Sequence, residues 1–166
     1  AALAASASAA TVRIDVGQNG FTFSPSSVTA SKGDTLEYHF HQPAHSVASS
    51  DFGGPCTPSK SGGFYSGVMT TSGAAENANV FRVVVNSTDP IFFYCTVPGH
   101  CNGGMSGVVN PSGSQTLAAY QSSAQTASLV VPPNVFGGQV ASGSSSSSNG
   151  GSTSSSSSTT GSATTS

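Results

Sequence analysis

Phe93-Tyr94-Cys95-Thr96-Val97-Pro98-Gly99-His100-Cys101-Asn102-Gly103-Gly104-Met105 is the stretch on which the reading of this chain turns. It sets a thiol, an imidazole and a thioether at five-residue intervals, after an apolar run and within a loop rich in Pro and Gly. Soft sulfur ligands combined with imidazole favour copper over magnesium or calcium. Two His and one Cys with a weak axial Met describe an electron-transfer copper site. Such a set needs one more imidazole, and His45 supplies it near the end of a strand-like run upstream. The candidate ligands of a single copper ion are therefore His45, Cys95, His100 and Met105.

Outward from that loop, period-2 alternation dominates residues 11–110 and points to strands. Val12-Arg13-Ile14-Asp15-Val16 alternates and stops at the turn Gly17-Gln18-Asn19-Gly20. Phe21-Thr22-Phe23 before Pro25 reads as a short edge segment, because Pro cannot donate to a ladder. Ser27 to Ala30 and Thr35 to His41 flank Lys32-Gly33-Asp34, a turn signal. In the second of these runs Leu36, Tyr38 and Phe40 face a core, leaving Glu37, His39 and His41 outward. His39 and His41 could share a second metal ion from alternate positions, but the reading adopted is that both face solvent. Val80 to Val85 and Ile91 to Cys95 are two further strands, and Met105 to Val109 begins the last. Phe93 and Tyr94 are assigned to the core. Six or more short strands with turns between them predict an all-β Greek-key sandwich or barrel.

The foldable domain spans residues 11–112. Asp51 to Ala78 is a Gly/Pro-rich irregular excursion, and residues 113–140 form a linker. Within that linker, residues 115–125 could make a short helix that packs through Leu117, Ala118 and Tyr120. Residues 141–166 are nearly all Ser, Thr and Gly, without aromatic or charged side chains. They cannot bury enough apolar surface to offset ordering entropy, so a disordered, O-glycosylated stalk is expected. Residues 1–10 read as a flexible leader or the small-residue end of a signal peptide.

Charge is sparse, with 4 Lys and Arg against 6 Asp and Glu. That excludes the clustered basic surface nucleic acid requires, and it gives no strong electrostatic steering. No run of about 20 apolar residues suggests a transmembrane helix. Asn86-Ser87-Thr88 is an N-glycosylation sequon. With the leader and the Ser/Thr tail, it predicts an extracellular protein, secreted or held at the cell surface or wall. The residues from Thr160 to Ser166 suit attachment of a GPI anchor, although the apolar tail of such a signal is not in this sequence. Membrane contact is expected only through such an anchor.

Three cysteines allow three pairings, Cys56–Cys95, Cys56–Cys101 and Cys95–Cys101. With Cys95 on the metal, Cys56–Cys101 is left. It closes a loop of about 45 residues, worth roughly 4 kcal/mol on the chain-entropy account. A zinc site of Cys56, Cys95, His100 and Cys101 is the competing reading.

With this ligand order, residues 11–110 resemble a cupredoxin, sharing the Tyr-Cys-(loop)-His-(loop)-Met signature of the plastocyanin-like and phytocyanin-like branches. Cys101 directly after His100 is most similar to phytocyanins, in which that cysteine is disulfide-bonded. The whole arrangement, tail included, is similar to fungal GPI-anchored cupredoxin-type surface proteins. The resemblance implies one type 1 copper ion, with His45, Cys95 and His100 equatorial and Met105 axial. Met105 departs from phytocyanins that carry Gln there, which implies a higher potential. Ser46 follows His45 where many plastocyanin-like proteins have Asn, a departure that bears on how the two loops are linked across the Cys95 sulfur. The expected function is an extracellular blue-copper electron carrier, a monomer and not an enzyme. Its redox partner, unidentified, would dock transiently on an uncharged rim near His100. The alternatives are surface copper storage, delivery or scavenging, and a structural, glycosylated wall protein.

Overall fold

The computed structural model describes residues 8–143. Eleven strands and one helix follow one another as β1 (Thr11–Val16), β2 (Phe23–Ser24), β3 (Ser27–Val28), β4 (Thr35–His41), β5 (Ala44–His45), β6 (Ala48–Ser50), β7 (Met69–Thr70), β8 (Glu76–Val84), β9 (Ile91–Tyr94), β10 (Ser106–Val109), α1 (Leu117–Ala124) and β11 (Gln139–Ser142). One sheet runs β11-β8-β4-β1-β2, a second runs β3-β10-β9-β6, and β5 pairs with β7. β1 lies parallel to β4, with Ile14 beside Tyr38 and Val16 beside Phe40. The all-β sandwich expected from the alternation is the architecture observed.

Each sheet contributes alternate residues to a shared core. Ile14, Val16, Leu36, Tyr38, Phe40, Phe81 and Val83 of the first sheet meet Val28, Phe93 and Val109 of the second. β9 is apolar at successive positions because both of its faces are covered. Phe93 points into this core, whereas Phe92 and Tyr94 belong to another cluster with Tyr120, Ala124, Cys56 and Cys101. The expected helix forms, with Thr116 capping it through an oxygen that accepts from the Ala119 N–H at 3.2 Å. Tyr120 packs fully buried and Leu117 partly so, but Ala118 is exposed, because the helix meets the sheet through the face carrying Tyr120 and Ala124.

Three expectations need correction. His39 and His41 are buried, not solvent-facing, since the charged side chains of Arg13, Asp15, Glu37 and Glu76 close over the outer face of the sheet. The supposed stalk begins too early at residue 141: Ala141 and Ser142 pair with Val80 and Asn79 as the edge strand β11. Gly138 permits the approach, because a Cβ there would lie 2.5 Å from the Phe81 ring. The excursion from Asp51 to Ala78 is irregular for most of its length, but it contains β7 and the first residues of β8. Expectations for residues 1–7 and 144–166 lie outside the described residues.

Candidate metal centre

His45 ends β5, and Cys95 directly follows β9. His100 sits in the connecting loop, and Met105 immediately precedes β10. One ligand atom from each of His45, Cys95 and His100 falls within 4.8 Å of the others, and all three residues are buried. The Cys95 sulfur is 3.4 Å from His100 Nδ1. The His45 and His100 ring centroids are 5.0 Å apart.

The donor set fits copper on a feature of the site itself. His45 Nε2 faces the Gln42 carbonyl at 3.3 Å, and Nδ1 is buried with no hydrogen-bond partner. A ring that donates at Nε2 keeps its lone pair at Nδ1, and an orphaned buried lone pair among a thiol and a second imidazole is a ligand in need of a metal. Burial pushes the Cys95 thiol up, against hydrogen bonds from Val97 and Ser46 that favour the thiolate. Burial also holds His45 below its ordinary value, with the His100 ring adding to the effect, and it lowers His100. Both imidazoles are thus biased to the neutral, ligating form.

The loops are tied across the sulfur through Ser46. Its backbone N–H points at Cys95 Sγ at 3.4 Å and its hydroxyl lies 3.8 Å from the same atom. The hydroxyl also contacts Thr96 Oγ1 at 2.7 Å and accepts from the Thr96 N–H at 2.8 Å. Serine here therefore makes the link that its departure from Asn called into question. Met105 is fully buried. Its N–H donates to the His100 carbonyl at 2.9 Å, and its carbonyl accepts from the Cys95 N–H at 3.2 Å. The backbone thus draws the Cys, His and Met positions into one closed loop.

Cys56 and Cys101 form the disulfide expected once Cys95 is given to the metal, fastening the loop beside His100. Other supporting contacts are not visible in the sequence. The segment after the domain clamps the same loop: Asn102 Nδ2 donates to the carbonyls of Ala124 at 2.8 Å and Ala127 at 2.9 Å, and Gln121 Nε2 donates to Gly104 at 3.0 Å. The Phe21 ring stacks on His100 with centroids 4.0 Å apart while remaining 53% exposed. Gly17, at a φ of +82°, lies against the His45 ring so closely that a Cβ would fall 2.1 Å from Nε2. The signal available for Gly17 was only its place in a turn. For Phe21 it was a large apolar residue in a stretch otherwise read as edge.

The sequence model for copper binding proteins of the plastocyanin/azurin family matches residues 10–111. A protein of Arthroderma benhamiae named Probable GPI-anchored cupredoxin-1 is 37% identical over 128 residues, covering 76% of this chain and 65% of its own length. From the same fungus, Extracellular serine-rich protein is 35% identical over 125 residues, covering 75% of this chain and 48% of its own length. The chain thus spans less than two thirds of either relative. Among solved structures, the blue copper protein auracyanin A of Chloroflexus aurantiacus is 18% identical, covering 60% of this chain and 95% of that one, with a TM-score of 0.41. With a family model matching residues 10–111, which hold strands β1 to β10, and a His45–Cys95–His100 cluster suited to type 1 copper, this chain belongs to the plastocyanin/azurin family of copper-binding proteins.

Proposed function

We propose that the chain is a mononuclear type 1 copper protein that carries electrons outside the cell, with Met105 as the axial ligand and no catalysis of its own. The observation that carries this reading is the preorganised, buried cluster of His45, Cys95 and His100. Bound copper would supply a reversible one-electron couple. The protein's part is to hold the ligand atoms in place through the change of charge. Ser46, itself held by Thr96, fixes the sulfur, Gln42 orients His45, and the disulfide and the Asn102 contacts restrain the loop that carries His100.

Electrons would pass through His100. Phe21, Pro98, Gly99 and Gly103, all uncharged, are exposed around it. Such a rim suits a small, short-lived contact at the low end of interface sizes. An extracellular or surface location is supported by the printed names of the two fungal relatives and by the exposed sequon at Asn86.

The test is a competition between electron exchange and copper loss. The copper-loaded chain is mixed with a small inorganic oxidant or reductant, and in parallel with a copper chelator. Redox cycling much faster than copper release supports the carrier reading. Release faster than cycling moves the protein to copper storage or delivery, and absence of copper uptake moves it to a structural role.

A further inference from the structure

Outside the copper ligand set, the outer face of the five-stranded sheet gathers Asp15 from β1, His41 from β4 and Glu76 from β8. One ligand atom from each lies within 4.8 Å of the others. His41 is buried, and its ring is oriented as ligating histidines usually are, with the far nitrogen on a backbone carbonyl. Its Nδ1–H donates to the Ala75 carbonyl at 3.0 Å, and Nε2 lies 2.8 Å from Asp15 Oδ1. A neutral ring that donates at Nδ1 turns its lone pair at Nε2 towards that carboxylate. Two electron pairs facing each other at this distance require a cation, either a proton or a metal ion.

The charge around the ring agrees. Asp15, Glu37 and Glu76 are joined there by Arg13 and Arg82, so three negative groups against two positive leave one negative charge when the imidazoles are neutral. Arg13 Nη2 bridges Asp15 Oδ1 at 2.6 Å and Glu76 Oε2 at 2.8 Å, the position a cation shared by these carboxylates would take. Its side chain is 47% exposed and can leave into water without unpacking the core. His39 Nδ1 holds the other Glu76 oxygen at 2.5 Å and so orients that carboxylate.

We propose that Asp15, His41 and Glu76 form a second metal site, for a divalent ion of the zinc or Cu(II) kind, in which Arg13 is the resident competitor. One imidazole and two carboxylates suit such ions and, lacking sulfur, do not suit Cu(I). The site is therefore selective in a way that the sulfur-containing centre is not.

The experiment is calorimetric titration of Zn(II) into the untagged, copper-loaded chain. The expected result is one zinc ion bound beyond the copper, about tenfold or more weaker in His41→Ala and in the near-isosteric Asp15→Asn, in line with what loss of a supporting group costs a metal site. Arg13→Ala should bind zinc several-fold tighter, a gain that no loss of folding could mimic. Neither His41 nor Asp15 belongs to the copper ligand set, so copper uptake serves as the control for folding. The proposal is overturned if neither wild type nor Arg13→Ala takes up the extra zinc, or if the uptake is indifferent to both His41→Ala and Asp15→Asn.

Discussion

Replacing Gly17 by Ala should damage the metal centre without adding or removing any ligand. Gly17 holds a φ of +82°, and a Cβ built there lies 2.1, 2.2 and 2.8 Å from three atoms of the His45 ring. Real Cβ contacts almost never fall below 3.0 Å, so the ring or the turn must move by at least 3.0 − 2.1 = 0.9 Å, and by 3.4 − 2.1 = 1.3 Å to reach ordinary contact at 3.4 Å. The ring has little room to give, because it is buried and its Nε2 is held by Gln42. Metal–ligand distances tolerate only about 0.2 Å, so copper affinity should fall tenfold or more, by comparison with the effect of losing an outer-shell partner. The left-handed backbone adds about 1–2 kcal/mol of strain for a residue with a Cβ. Gly33 separates the two effects. Its φ is +98° but nothing lies within 4 Å of a Cβ there, so Gly33→Ala should carry the strain alone. The assay is urea denaturation of both metal-free variants alongside titration with Cu(II). Gly33→Ala should lose only the strain energy, Gly17→Ala at least as much, and only Gly17→Ala should lose copper affinity. Wild-type copper binding by Gly17→Ala, or an equal loss in Gly33→Ala, would refute the reasoning.

Three further outcomes are expected. Tyr120→Ala removes a ring stacked on Phe92 at 5.0 Å and a hydroxyl that accepts from the Cys56 N–H at 3.2 Å, so it should cost about 3–5 kcal/mol in denaturant unfolding; a cost below about 1 kcal/mol would show that the helix is not part of the folded unit. Reducing Cys56–Cys101, which closes a sequence separation of 45, should lower stability by roughly 4 kcal/mol, and an unchanged midpoint under reductant would contradict this. Burial works against ionisation of Glu37, but its bonds to Arg82 and His39 outweigh burial and hold its carboxyl below the ordinary 4.5. Its stabilisation is therefore complete above that value and is lost as pH falls through the lower, folded one. Glu37→Gln should flatten that acid limb of the stability curve, and an unaltered limb would show that the Arg82 and His39 bonds contribute nothing.

Much of the site was legible because three of its four candidate ligands sit in one short loop and its chemistry is carried by residue type. Cys95, His100 and Met105 need only the chain direction to be brought together, and the backbone bonds between them are local. The paired sheets were legible for a similar reason: alternation such as Leu36, Tyr38, Phe40 marks a face. Alternation does not say what covers the opposite face. On that basis His39 and His41 read as solvent-facing, whereas Asp15 and Arg13 from β1 and Glu76 from β8 close over them. β11 was hidden for a different reason. Its pairing with β8 depends on a glycine that lets the backbone approach Phe81, inside a segment whose composition resembles the tail beyond it. The contacts of Gly17 with His45 and of Phe21 with His100 are long-range, and nothing in local periodicity encodes them.

The central claim is that Cys95, His45 and His100 bind one copper ion through a thiolate. Its most direct test is the visible and EPR spectrum of the purified chain after one equivalent of Cu(II), recorded beside Cys95→Ser. The account predicts an intense blue band with narrow copper hyperfine splitting in the wild type and neither in the variant. A pale spectrum with ordinary splitting in the wild type, or a blue band that survives in Cys95→Ser, would contradict it.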